Sequence, residues 1–546
     1  MAIGSSLFVC LERYLADSKA FPISVYVLDA VFFFAASLCL RFMITTGMNG
    51  YMLLTRQLPV AKRAIVIGAG SAARMLISEM QQPKSEYHIV GMVDDDPAKH
   101  RTKFRGVPVL AGIADLVELV SLHLIDVIII AVPSATDSEM QRFIELCEQT
   151  RQPYRTMPSL RDLISGRAGS KEIREVNVED LLEREPIKLD LESVMKLVSG
   201  NTVMVTGAAG SIGSELCSQL ARSGIGKLLC VDQDETGIFD LQNSLLSFSD
   251  ELDISFIVAD IGNAALMQRV MGFQPVHFVF HAAAYEHVPL LEMNPFEAVR
   301  NNVLGLVTLL DVAEACGCER FLLISTDKAV NPSSLMGCTK RIGELIMASR
   351  PSNTMECISV RFRNVLGSQG SVVPAFQKQI REQGRVSVTH PEMTRFFMTI
   401  PEAVSLVLQA FVVGGSGDIM VLDMGTAVSI LELARTLIRL SHKTPAEVPI
   451  VYSGLRPGEK LHEELFYAHE RLIQSGAERV LRARGDRVSF PWLREQLEEL
   501  DFACQTNDEA SLRQVAATIV PEYTGARSLA SGNAVLSRSR AAGAAV

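Results

Sequence analysis

The sequence predicts an α/β protein: two Rossmann-like, doubly wound parallel-sheet domains preceded by an N-terminal membrane helix. Three observations lead there. A glycine-rich turn joins an apolar run to an amphipathic stretch twice, at 68–73 and at 207–213. Short apolar runs then alternate with helical stretches, the pattern of a parallel sheet with crossover helices. Ahead of both lies one long apolar run with almost no charge.

The chain has 546 residues, enough for roughly three to four units of about 150 residues. With 48% hydrophobic and 21% charged residues it is neither disordered nor fibrous. The formal charge is −10 and no long basic run occurs, so nucleic acid is not an expected partner. The ten cysteines are scattered without a CxxC pair, so no metal site is expected and the thiols read as reduced. A mean hydropathy of +0.22 directs attention to a membrane segment.

That segment lies in residues 1–62, read as a membrane-anchoring region. Ile23 to Ile44 is a 22-residue apolar run carrying only Asp29 and Arg41 as charges. As a helix it is about 33 Å long, enough to cross a bilayer. Asp29 argues against a cleaved signal peptide. Arg41, Arg56, Lys62 and Arg63 follow with no acid between Asp29 and Arg63, which puts the C-terminal side in the cytoplasm. The alternative is a buried core hairpin.

Residues 63–165 read as the first Rossmann-like domain. Its turn is Gly68-x-Gly70-x-x-Ala73, with Asp94 to Asp96 about 25 residues on, the spacing of a dinucleotide fingerprint. A βα turn that binds nothing explains the same glycines, so its ligand is left open. Residues 166–198 are charge-rich and read as a linker.

The second domain, 199–480, carries the fuller signature. Gly207, Gly210, Ser211, Ile212 and Gly213 form a turn in which backbone N–H groups approach a pyrophosphate at a helix N-terminus. Asp232 closes the next strand, where a carboxylate bonds a ribose diol and repels a 2′-phosphate, so the expected cofactor is NAD. Asp260 and Ile261 end the third strand, beside the adenine. Ala282 and Ala283 follow the fourth and allow close approach. Residues 481–546 read as a C-terminal extension with an aperiodic tail after about 526.

The fifth strand ends in Ser325-Thr326-Asp327-Lys328, a hydroxyl, a carboxyl and an amine where open sheets place ligands. Lys340 sits four residues after Met336, on one helix face. In the short-chain dehydrogenase pattern that spacing holds a Tyr base and a ribose-binding Lys; here the Tyr position is Met336, which takes no proton.

The blocks GAAGSIGSEL, HAAAYEHVPLLEMNP, STDKAVNPSSLMGCTKR, VRFRNVLGSQGSVVPAF, PEMTRFFMTIPEA and LRPGEKLHEEL run from about 200 to 467. Together they resemble the membrane-anchored nucleotide-sugar 4,6-dehydratases of bacterial polysaccharide biosynthesis (UDP-N-acetylglucosamine 4,6-dehydratase type), in the extended short-chain dehydrogenase/reductase superfamily. The resemblance implies a UDP-sugar substrate, a 4-keto-6-deoxy product, and a homo-oligomer on the cytoplasmic side of a bacterial inner membrane. It implies that Thr326 bonds the 4-hydroxyl and that Lys340 holds the ribose. Asp327 would be the acid at C6 and Lys328 the base at C5, two roles that are interchangeable from sequence. Met-for-Tyr exchange occurs in long-form members. Asn364, Arg395, Arg456 and Glu459 lie in blocks that contact the sugar nucleotide. Two departures stand out: Glu286 replaces a usual Lys, and one membrane helix stands where about four are usual. The competing functions are a nucleotide-sugar 4-epimerase and a catalytically silent cofactor-binding scaffold.

Overall fold

A computed structural model describes residues 61–157 and 191–525, apart from 82–84, 249–251, 352–354, 369, 442, 457 and 485–486, together with Ala35. The apolar run 23–44 therefore lies, except for Ala35, outside the described residues. Among the described residues no helix is long and apolar enough to cross a membrane. The chain divides into two units near residue 176.

The first unit is a six-stranded sheet of β1 (Lys62–Ile67), β2 (Tyr87–Val93), β3 (Lys103–Phe104), β4 (Val107–Ala111), β5 (Val127–Ile130) and β6 (Tyr154–Thr156). Its order is β3-β4-β2-β1-β5-β6, parallel except for the β3–β4 edge. Ala64 to Ile67 and Val127 to Ile130 are unbroken apolar runs, buried because crossover helices cover both faces of a parallel sheet. One of these, α1 (Ser71–Met80), buries Ala73, Leu76 and Ile77.

The second unit opens with α2 (Leu191–Val198), which lies inside the stretch read as linker. Val194 and Val198 are buried in this unit's core, so the domain starts upstream of residue 199. Its sheet has nine strands: β7 (Thr202–Thr206), β8 (Lys227–Asp232), β9 (Asp253–Val258), β10 (Phe278–His281), β11 (Arg320–Thr326), β12 (Glu356–Phe362), β13 (Ile419–Leu422), β14 (Arg471–Gln474) and β15 (Val480–Arg484). The order is β14-β15-β13-β12-β11-β10-β7-β8-β9. From β9 to β13 all pairs are parallel; β15 and β14 close the far edge antiparallel. The strand order reverses between β7 and β10, and ligands of such sheets bind at the carboxyl ends beside that switch.

α3 (Ser211–Ala221) follows β7, and α4 (Leu335–Ser349) follows β11, buried along almost its whole length. Residues after 480 are more than an extension. β15 is a sheet strand, and α5 (Phe490–Thr506) and α6 (Glu509–Ile519) bury Leu493, Leu497, Leu500, Leu512 and Ile519 in the larger apolar core. The tail from 526 lies outside the described residues.

Candidate active site

The turn after β7 is shaped for a dinucleotide. Gly207 has φ +68°, and a Cβ there would stand 2.5 Å from the Ala283 backbone nitrogen. A Cβ on Gly213 would run into the Gly207 carbonyl. Only glycine lets the turn, the helix and the segment after β10 come this close. Gly210 caps α3 without a side-chain hydrogen bond, so the helix start presents backbone donors and the positive end of its dipole. Asp232 Oδ2 accepts the Ala209 N–H at 3.0 Å, which fixes the carboxylate beside the turn. Ala282 and Ala283 line the neighbouring strand end. Ile261 is buried, and the exposed Asp260 accepts the Gly262 N–H at 2.8 Å. β9 stops at Val258, two residues short of Asp260. These residues fit an NAD-type cofactor.

The first unit repeats the device. Asp94 Oδ2 accepts the Ala69 N–H at 2.7 Å, and Lys99 lies 3.0 Å away. Burial would raise the Asp94 carboxyl, but the Asp96 and Ala69 N–H groups and the Lys99 ammonium outweigh it and hold it below its usual range. Asp94 is thus engaged by its own loop and by Lys99.

At the end of β11 a short 3₁₀ turn, 327–329, carries the chemistry. Asp327 is fully buried. Its Oδ1 accepts from the Thr326 hydroxyl at 2.9 Å and from Lys328 Nζ at 3.1 Å. Arg363 Nε is 3.8 Å from its Oδ2. Lys328 Nζ also donates to Asn364 Oδ1 at 3.1 Å and reaches Glu463 Oε1 at 3.2 Å. Glu463 accepts from Asn364 Nδ2 at 2.9 Å and pairs with Arg395 Nε at 3.1 Å. Burial, with the Glu463 charge beside it and a hydrogen bond between the two carboxyls, pushes the Asp327 carboxyl up to about 7 against the opposing pull of Lys328. Burial alone would raise Glu463 too, but Lys328 and Arg395 outweigh it and hold that carboxyl well down. Lys328 would be lowered by burial, yet the two carboxyls drive it above its usual range. Two acids a few ångströms apart have been separated into one proton holder and one anion.

The predicted residues do not all converge. Thr326, Asp327, Lys328, Asn364 and Arg395 form one cluster, and Glu459 reaches Arg395 at 3.9 Å. Arg456 is exposed outside it, its N–H donating to Glu459. Met336 is 2% exposed and belongs to the apolar core, so its side chain offers no proton to the site. Lys340, also buried, donates to the Ile324 carbonyl at 3.2 Å and reaches Glu286 at 3.5 Å. Burial and the Lys340 charge together hold His281 down to about 3, so it is a neutral ring bonded to the Thr206 hydroxyl.

Sequence reasoning missed Glu463, which sits within LRPGEKLHEEL behind the more conspicuous Arg456 and Glu459. It also missed what holds that segment. Arg361 is fully buried and forks onto Glu344 (2.9 and 2.7 Å) and Glu470 (2.8 Å), while bonding the Leu465 carbonyl at 3.0 Å. Ser325 donates to Glu344 at 2.7 Å, and Tyr467 O–H donates to the Ala329 carbonyl at 2.8 Å. Arg395 ties down the other end through the Lys460 and Leu461 carbonyls. The 460–470 segment and the 325–329 turn are therefore fastened to each other, with Glu463 between the fastenings.

Residues 203–484 match the family described as polysaccharide biosynthesis protein, and residues 5–158 match the one described as CoA-binding domain. The chain is 41% identical over 430 residues to the capsular polysaccharide biosynthesis protein CapD of Staphylococcus aureus, covering 78% of this chain and 72% of that protein. It is 42% identical over 415 residues to the probable polysaccharide biosynthesis protein EpsC of Bacillus subtilis, covering 75% and 69%. A UDP-glucose 4-epimerase of Rickettsia rickettsii is 34% identical over 278 residues, 49% of this chain and 78% of that enzyme.

Proposed function

The chain belongs to the polysaccharide biosynthesis protein family, and from that premise we propose that it is an NAD-dependent nucleotide-sugar 4,6-dehydratase, a lyase whose first substrate to test is UDP-N-acetylglucosamine. What carries this is the buried Asp327 bonded to the partly exposed Lys328 at the end of β11, beside a helix whose proton-transferring phenol position is Met336. A 4-epimerase needs proton transfer only at the 4-hydroxyl; an acid and an amine held side by side answer the need to break C5–H and C6–O together.

NAD, bound at the 207–213 turn, supplies the acceptor for the C4 hydride and its return to C6. The chain's own groups do the rest. Thr326 bonds the 4-hydroxyl, and Lys340 orients the ribose and favours loss of the 4-hydroxyl proton. The 4-ketone acidifies C5–H. Asp327, kept protonated near neutrality beside Glu463, gives its proton to the departing C6 hydroxyl, while Lys328 takes the C5 proton. Such positioned acid–base groups contribute about 10²–10⁴-fold. Asn364, Arg395, Arg456 and Glu459 are assigned to the sugar nucleotide, residues 23–44 to the cytoplasmic membrane, and the active assembly to a homo-oligomer.

The test is mass spectrometry of UDP-N-acetylglucosamine incubated with the protein and NAD⁺ in D₂O. Loss of one water with one solvent deuteron gained at C5 is the expected result. An unchanged mass with a new 4-epimer, the reading favoured by the similarity to the Rickettsia epimerase, would transfer the assignment to an isomerase. Bound NAD without turnover of any UDP- or dTDP-sugar would point to a silent scaffold.

A further inference from the structure

Lys328 poses a chemical problem. An ammonium held by two carboxyls and an amide oxygen carries no lone pair, yet the C5 proton needs a base. We propose that Glu463 is a positioning residue that acts through Lys328: its carboxylate holds the ammonium in the free enzyme and takes its proton when substrate closes the site, leaving a neutral amine to act at C5. The step presupposes Lys328 as the C5 base.

The geometry supports the transfer. Lys328 Nζ and Glu463 Oε1 are 3.2 Å apart; the Glu463 side chain is almost completely buried, and Lys328 is partly open to water. Expelling the remaining water as a sugar nucleotide enters favours the neutral amine and neutral acid over the ion pair, because desolvation penalises both charges. The groups facing the pair are Asp327 and Asn364 beside Lys328, Asp327, Arg395 and Asn364 beside Glu463, and Arg363 and Lys460 farther out. Arg395 keeps Glu463 ionised until that closure.

The protons balance over a turnover. One N–H bond of Lys328 breaks as an O–H bond forms on Glu463. Lys328 then gains the C5 proton, and Asp327 gives its own to the leaving C6 hydroxyl, which departs as water. Lys328 returns a proton to C5 as C6 is reduced; the 4-hydroxyl proton leaves to solvent at the oxidation, and Asp327 takes one back from solvent once the water has departed. The amine and Glu463 then share their proton as before, once product leaves.

The experiment compares wild type, E463Q and E463D across pH, following dehydration and solvent-deuterium entry at C5. In E463Q Lys328 must lose its proton to solvent, so kcat is expected to fall about 10²-fold near neutrality. It should then rise about tenfold per pH unit, where the wild type is flat, because the fraction of neutral amine grows with that slope. E463D retains an acceptor and should keep the wild-type pH profile. A wild-type rate and profile in E463Q, or the same profile in E463Q and E463D, overturns the proposal. Should E463Q not fold, E463A with added formate decides: restored C5 exchange supports the proposal, and no restoration defeats it. A wild type that forms no dehydrated product would instead defeat the dehydratase assignment itself.

Discussion

Asp327 is the residue on which the site's behaviour turns. Its carboxyl is raised from the usual carboxylate range to about 7, chiefly by burial. Between those values the native protein holds a proton that the unfolded chain has released, so stability falls as pH rises through this window. Asn cannot ionise and mimics the protonated acid. D327N should therefore gain thermal stability over wild type at pH 8 and gain little at pH 5, read as the difference in Tm at the two values. Equal differences would mean that Asp327 is not the group paying the desolvation cost. Thr326, Asp327 and Lys328 were legible as neighbours because they follow one another at one strand end, where local spacing suffices. Glu463 was not, because KLHEEL alone reads as a solvated charged stretch; its burial depends on contacts with residues far away in the chain.

At the scale of elements, the 460–470 segment has no regular secondary structure, and what fixes it is charge. Arg361 bridges Glu344 on α4 and Glu470 at the end of the segment, entirely out of water. Removing one member of such a buried set strands the others, at a cost of about 3–5 kcal/mol. R361M is accordingly expected to lower the unfolding free energy by that amount and to lose activity with it. Substituting Arg341, Glu344 and Glu470 by apolar residues in the same chain should recover much of the stability and none of the activity, because Ser325 and the segment then lose their anchor. Denaturant titration with parallel activity assays reads both. The strands were legible from their apolar runs and glycine turns, since a parallel sheet buried on both faces demands that composition. The helices at 191–198 and 490–519 escaped because their amphipathic faces are mixed with charge, and only the docked core shows which side faces inward.

For the whole molecule, each unit has its own sheet and its own apolar core. Every residue assigned to cofactor and chemistry lies in the second unit. A chain of residues 191–525 should therefore fold and bind NAD with an affinity within a few-fold of the intact protein, measurable by calorimetric titration. A fragment ending before α5 should not, since it would lack Leu493, Leu497, Leu500 and Leu512 and leave the core face they cover exposed. Two-domain organisation and the second unit's nucleotide turn were readable from the sequence because both are local patterns. The C-terminal helices' place in the core was not, because it is a long-range packing fact.

The Arg361 cluster also constrains how this protein can change over generations. Position 361 cannot become apolar while 344 and 470 stay acidic, nor can either acid be lost singly without leaving a charge that the interior cannot tolerate. Positions 341, 344, 361 and 470 should drift as a set or stand still together.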